Sequence, residues 1–237
     1  MLINLLIILL LPSLSWAAVD CADAGAVAET FATPASPMTT SYTRPSGSDF
    51  LGFVYAAHRQ GTTSRTVSTI AWGADTPTAS GAQDYNDPIA GRLYQLVAPA
   101  SGAQTIDVTW SGTPLADGLV VLTCTGVHQA TPTHDFATAN GNSGTASVTV
   151  SNVTSSDVVI ACVSNDGART LTGAGSLVLI ATDATPGEMN VGCWYQPGSA
   201  GGSVSVTLDV ADDWVIQAIA VSPTASTDTG GEAVWFY

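Results

Sequence analysis

The stretch SVSVTLDVADDWVIQAIAV, residues 203–221, decides the fold class. In its first part Val204, Val206, Leu208 and Val210 fall on one side of an extended chain, and Ser203, Ser205, Thr207 and Asp209 on the other. A period of two belongs to a strand with one buried and one wet face. From Trp214 to Val221 the run is almost wholly apolar, as in a strand covered on both faces. Asp212-Asp213 between the two parts reads as a turn that launches the last core strand.

Working outward, the same texture fills the chain from Tyr42. Short Val-, Ile-, Leu-, Thr- and aromatic-rich runs are separated by Gly, Pro, Asn, Asp and Ser. Strands are expected over 50–57, 66–72, 92–97, 104–110, 118–125, 146–151, 158–164, 176–181, 189–195, 203–210 and 214–221. Residues 104–110 alternate cleanly, with Ile106, Val108 and Trp110 on one face; 119–122 and 158–163 are apolar on both. Only 22–31 competes as a short helix. Strand spacing with short turns predicts an all-β fold, a single antiparallel β-sandwich of jelly-roll or Greek-key type. The two halves share a texture but no fixed-period repeat.

The predicted organisation is a signal peptide over 1–17, an arm or edge strand over 18–41, the sandwich over 42–223, and a linker with an aromatic tail over 224–237. The leader reading rests on the apolar run 2–14 and the Ser15-Trp16-Ala17 ending, which places cleavage after Ala17. It predicts a secreted or cell-surface location, without stable membrane insertion once the leader is removed. Asp20 before Cys21 excludes lipid attachment, which needs a small residue there. Cys21, Cys124, Cys162 and Cys193 are an even set that suits two disulfides in three possible pairings; buried free thiols are the alternative.

Charge is one-sided: 19 Asp and Glu against 5 Arg and no Lys, a formal net charge of −14. Such a surface repels a phosphate backbone, so nucleic acid is excluded as a partner, and anionic membrane surfaces are poor ones. No GxSxG, HExxH or Gly-rich phosphate loop occurs. His58, His128 and His134 are too few to single out a base, His134 beside Asp135 resembles a base and its orienter only in sequence, and Glu29, Glu188 and Glu232 are scattered. No catalytic residues are assigned, and no cofactor is expected apart from calcium. For calcium, Asp84, Asn86 and Asp87, with Asp75 in support, offer alternating oxygens on a loop; Asn-Asp-Pro is equally a good turn former. Asp212-Asp213 is a second oxygen pair.

Trp194-Tyr195 points two aromatics to opposite faces of a strand, which predicts that one of them reaches the surface and contacts a ligand such as a glycan. The closing Val234, Trp235, Phe236 and Tyr237 form an apolar end that needs cover, on its own sandwich or on a protein partner's or second copy's sheet edge. Those residues carry the expectation of self-association.

Residues 92–102 (RLYQLVAPASG), 171–175 (LTGAG) and 213–221 (DWVIQAIAV) resemble recurring pieces of secreted or virion-associated jelly-roll-like modules of bacterial, phage and environmental origin. The resemblance covers about 50–223. It departs in the acidity, the cysteines and the aromatic tail. It implies a sandwich fold and an outside location, with no catalytic residues to carry over. The apolar tail and the lack of a catalytic set favour a structural or interaction module; a carbohydrate-binding or adhesive module is the alternative, favoured if Trp194 or Tyr195 is exposed beside another aromatic.

Overall fold

The computed structural model describes residues 18–224 except 24, 35, 61–64, 168 and 186–187. The leader 1–17 and the tail residues 234–237 therefore lie outside the described residues. The strands in chain order are β1 Val27–Phe31, β2 Met38–Arg44, β3 Leu51–Arg59, β4 Val67–Trp72, β5 Thr78–Ala79, β6 Asp84–Asn86, β7 Ile89–Val97, β8 Gly102–Trp110 and β9 Ala116–Cys124. They continue as β10 Thr133–Thr149, β11 Val158–Asp166, β12 Leu171–Gly173, β13 Val178–Thr185, β14 Met189–Pro197 and β15 Ser203–Val221. All of their pairings are antiparallel.

The all-β, antiparallel class is as expected, and the strands divide into three sheets. One runs β1-β9-β3-β7-β5 with β6 beside β7, one runs β10-β15-β11-β14-β13 with β12 beside β15, and a third is β2-β8-β4. The two large sheets face each other across a central core built from Leu51, Phe53, Leu93 and Leu122 on one side and Ile160, Val191, Val215 and Ile219 on the other. A second core of Met38, Tyr42, Trp72, Ile106 and Trp110 joins β2-β8-β4 to the back of the first large sheet. This two-sided cover explains why Ala116–Cys124 and most of Leu51–Arg59 are buried on both faces.

The C-terminal half repeats the plan with longer strands. β15 is one continuous strand of 19 residues, and β10 pairs with both of its parts, with register shifts between His134 and Phe136 and between Ser143 and Thr145, where residues 208–211 of β15 are left out of the ladder. Residues 203–208 carry Val204, Val206 and Leu208 onto the outer face of Val159, Ala161, Val163 and Trp194. Asp212-Asp213 is thus a bend inside a strand that passes between two layers, where a turn between two strands was expected.

The order β1-β9-β3-β7-β5 in one half matches β10-β15-β11-β14-β13 in the other, and β4 on β8 matches β12 on β15. Leu51 opens β3 as Val158 opens β11, and Ile89 opens β7 as Met189 opens β14. The chain is internally duplicated in topology. Unequal loops shift the spacing between counterparts, which hides the repeat from a fixed-period reading.

Two disulfides tie the structure, Cys21–Cys124 and Cys162–Cys193. The first fastens the N-terminal segment to the end of β9; the second bridges directly opposed residues of β11 and β14. β1 is an edge strand within the stretch read as arm or edge strand, and β2 begins at Met38.

Candidate functional site

The polar side chains concentrate where the halves meet. Arg59, at the end of β3, donates from Nε to Asp166 at 2.6 Å and from Nη1 to Glu188 at 2.8 Å. Tyr55 and Ser164 share a hydrogen bond of 2.9 Å inside the central core. A Cβ at position 91 would lie 2.1 Å from the Tyr55 hydroxyl, so glycine there is what lets the phenol reach across. Burial pushes the Tyr55 hydroxyl far above its ordinary pKa, keeping it a neutral partner.

Gln217, fully buried in the apolar run of β15, accepts from the Leu93 amide at 2.7 Å and donates to the carbonyls of Ala82 and Gly91. One carboxamide thereby satisfies backbone groups of the opposite half. The edges are clasped similarly. The Thr30 amide and hydroxyl both donate to Asp183 of β13, while Thr138 and Asn140 of β10 donate to Asp84 of β6.

Two of the predicted calcium ligands take part in these contacts. Asp84 faces β10, and Asn86 turns its amide to the Gly141 carbonyl and to Asp213. The Asp84 and Asn86 side chains thus belong to the seam between the halves. A different trio comes together, with Asp166, Asp212 and Asp213 oxygens all within 4.8 Å of one another. Arg59 pairs with Asp166, Arg169 with Asp212 at 2.6 Å, and Asn86 and Asn142 donate to Asp213. Burial and the neighbouring Asp212 raise the Asp166 carboxyl pKa, with Arg59 opposing both. Four side-chain donors, Arg59, Arg169, Asn86 and Asn142, thus surround the trio.

Trp194 is corrected. It is 1 % exposed and packs in the outer core of the C-terminal half, so of the two aromatics it is not the one that reaches the surface. Tyr195 is half-buried against the central core. Trp72, Trp110 and Trp214 are buried too, so no tryptophan among the described residues offers a stacking face.

Two buried polar groups were missed as a pair. His58 and Asp117 are directly opposed on β3 and β9, and both are fully buried. Trp110 donates to Asp117 at 3.1 Å and sets its ring 4.6 Å from that of His58, while His58 Nε2 meets Gln60 at 3.0 Å. Burial lowers His58 to about 4 and raises Asp117 to about 6. A polar residue inside an apolar run (Asp117 before Leu119–Leu122, Gln217 within Trp214–Val221) was the available signal. The buried Asp23 carries a similar role: it accepts from Tyr42 and from the Thr123 amide and hydroxyl, beside the Cys21–Cys124 bond.

A surface depression of about 610 Å³ lies between β10 and β15, lined by Ala137, Thr138, Ser147, Thr149, Ser203 and Ser205 among others. It contains no charged residue. A second cleft of about 570 Å³ is lined by Ala18, Val19, Val158, Pro197 and the loop 155–157. No helix among the described residues is long and apolar enough to cross a membrane. No family model, curated protein or solved structure matches this chain.

Proposed function

We propose that this chain is a non-catalytic, extracellular structural or interaction module of a surface, secreted or virion assembly, formed by two jelly-roll-like units joined face to face. The observation that carries the reading is where the reactive side chains go. Arg59, Asp84, Asp166, Asp183, Asp212 and Asp213 are engaged in contacts that hold elements together, and two disulfides lock the halves internally. Disulfides persist in oxidising surroundings, which supports a secreted location and agrees with the apolar leader.

The surface offered to a partner is β10. Among the described residues it pairs on one side only, and its side chains are small and mostly uncharged beside the hydroxyl-lined depression. An open strand edge of that kind accepts another strand. The test is light scattering across a concentration series of protein starting at Ala18, beside Ser147→Lys. Self-association lost in the variant supports assembly through this edge. A monomer at every concentration refutes self-assembly through β10.

Carbohydrate binding is the second reading, and the hydroxyl-lined depression is the observation that favours it. Without an aromatic in that lining, binding would rest on hydrogen bonds alone. A glycan array read with wild type and Thr149→Lys tests it; signal insensitive to the substitution rejects this site.

A further inference from the structure

We propose that the cleft lined by Ala18, Val19, Val158 and Pro197 is the docking site for the aromatic segment 233–237 of the same chain. This goes beyond the assembly reading and does not depend on it. The cleft is the more apolar of the two depressions: the buried Val19 and Val158 line it with Ala18 and Pro197, beside Ser155, Ser156 and the buried Asp157. Its volume of about 570 Å³ accommodates an aromatic side chain.

The occupant follows from where the described chain stops. Val221 is paired with Val158, and Val158 with Pro197, so the end of β15 and the cleft lie in one row across the sheet. Beyond it the Thr224 amide donates to the Gly126 carbonyl at 2.8 Å. Gly126 in turn abuts Ala18: a Cβ there would lie 2.8 Å from the Ala18 carbonyl oxygen. Thr224 is therefore held beside the mouth of the cleft. Residues 225–232 are rich in Ser, Thr and Gly, and a chain of that length and composition behaving as a linker spans roughly 15 Å root-mean-square. A tether matched to its span supplies an effective concentration on the order of millimolar, which favours the chain's own segment over a second copy's. Ala233, Val234, Trp235, Phe236 and Tyr237 are the apolar residues it delivers. Trp and its neighbours gain most by leaving water, since each aromatic has roughly 150–250 Å² to bury.

The experiment is methyl NMR on protein running from Ala18 to Tyr237 with both disulfides formed. A docked indole shifts the Val19 and Val158 methyls by its ring current. Trp235→Ala and a form stopped after Thr224 should both move those methyls, leaving Val148 and Val204 at the distant depression in place. A peptide of residues 225–237 added to the shortened form should restore the shifts at high concentration only. Methyls that ignore Trp235→Ala overturn the proposal. So do shifts that grow with protein concentration, which would mean a second copy's segment. Shifts that respond only to the presence of residues 1–17 would assign the cleft to the leader and overturn it equally.

Discussion

The two halves of the molecule follow one strand order with different interiors. In the N-terminal half the outer core is aromatic, with Tyr42, Trp72, Tyr94 and Trp110 between sheets of separate strands. In the C-terminal half it is built largely from Val and Ala around Trp194 and Trp214, and two long strands bend to make both layers. The buried polar pair differs too: His58 opposes Asp117 on β3 and β9, whereas Asn165 opposes Trp214 on β11 and β15. The topology therefore depends on which faces are apolar and how strands pair, and tolerates large changes in what fills the core.

The largest expected effect tests the interior that looked like a binding site. Trp194→Ala should cost about 3–5 kcal/mol, because the indole is enclosed and its removal leaves a cavity; Trp72→Ala in the other half should cost a similar amount. Urea midpoints measure both, and an unchanged midpoint for Trp194→Ala would restore it as a surface contact residue.

The disulfides come next. Replacing either pair by Ala should cost about 2–5 kcal/mol. The Cys21–Cys124 loop spans a sequence separation of 103 against 31 for Cys162–Cys193, so its loss should be the costlier by about 1 kcal/mol in the chain-entropy account. Because the halves share the central core, each variant should still unfold in a single transition by fluorescence and circular dichroism. Two separated transitions would break the picture of one cooperative unit.

Arg59→Met should cost about 1 kcal/mol, since the ion pairs with Asp166 and Glu188 are partly exposed and screened. The loss should shrink in high salt. A salt-independent loss would point to packing of the arginine stem instead.

A pH series separates the halves in another way. Asp117, raised to about 6 from its ordinary 3.8 by burial, contributes stability that is full below about pH 4 and is lost as pH rises through 6. His58, lowered to about 4 from 6.5 by burial, contributes stability that is full above pH 6.5 and is lost as pH falls through 4. The two slopes oppose each other between pH 4 and 6, so this pair leaves the wild-type protein nearly flat there. Asp117→Asn should make stability fall on acidification from pH 6.5 to 4. His58→Asn, which copies its counterpart Asn165, should make it rise. Stability slopes that match wild type in both variants would remove the pair from the protein's pH response.

Much of the fold was legible because burial writes itself into sequence at period two. Residues 104–110 and 203–210 alternate and are strands; 119–122 and 158–163 are apolar on both faces and lie in the two middle layers. Residues 133–145 were missed because an edge strand half open to water has no need of large apolar side chains, and THDFATANGNSGT reads as turns. Val27–Phe31 was ambiguous between arm, strand and helix for the same reason: its pairing with β9 rests on backbone groups that side-chain patterning does not report. The candidate site was hardest to see. Asp84 and Asn86 were noticed, but their partners Thr138, Asn140 and Asp213 are far along the chain.

By itself the sequence determined the class of structure, the position of most strands and the strongly acidic surface, since these follow from local alternation and composition. Only the tertiary structure decided that the strands make two matching units, that Trp194 is enclosed, and that the polar groups serve the seam between the halves. Those facts depend on which distant strands become neighbours, and residues such as Arg59 and Asp166 acquire their role only when two sheets close on each other.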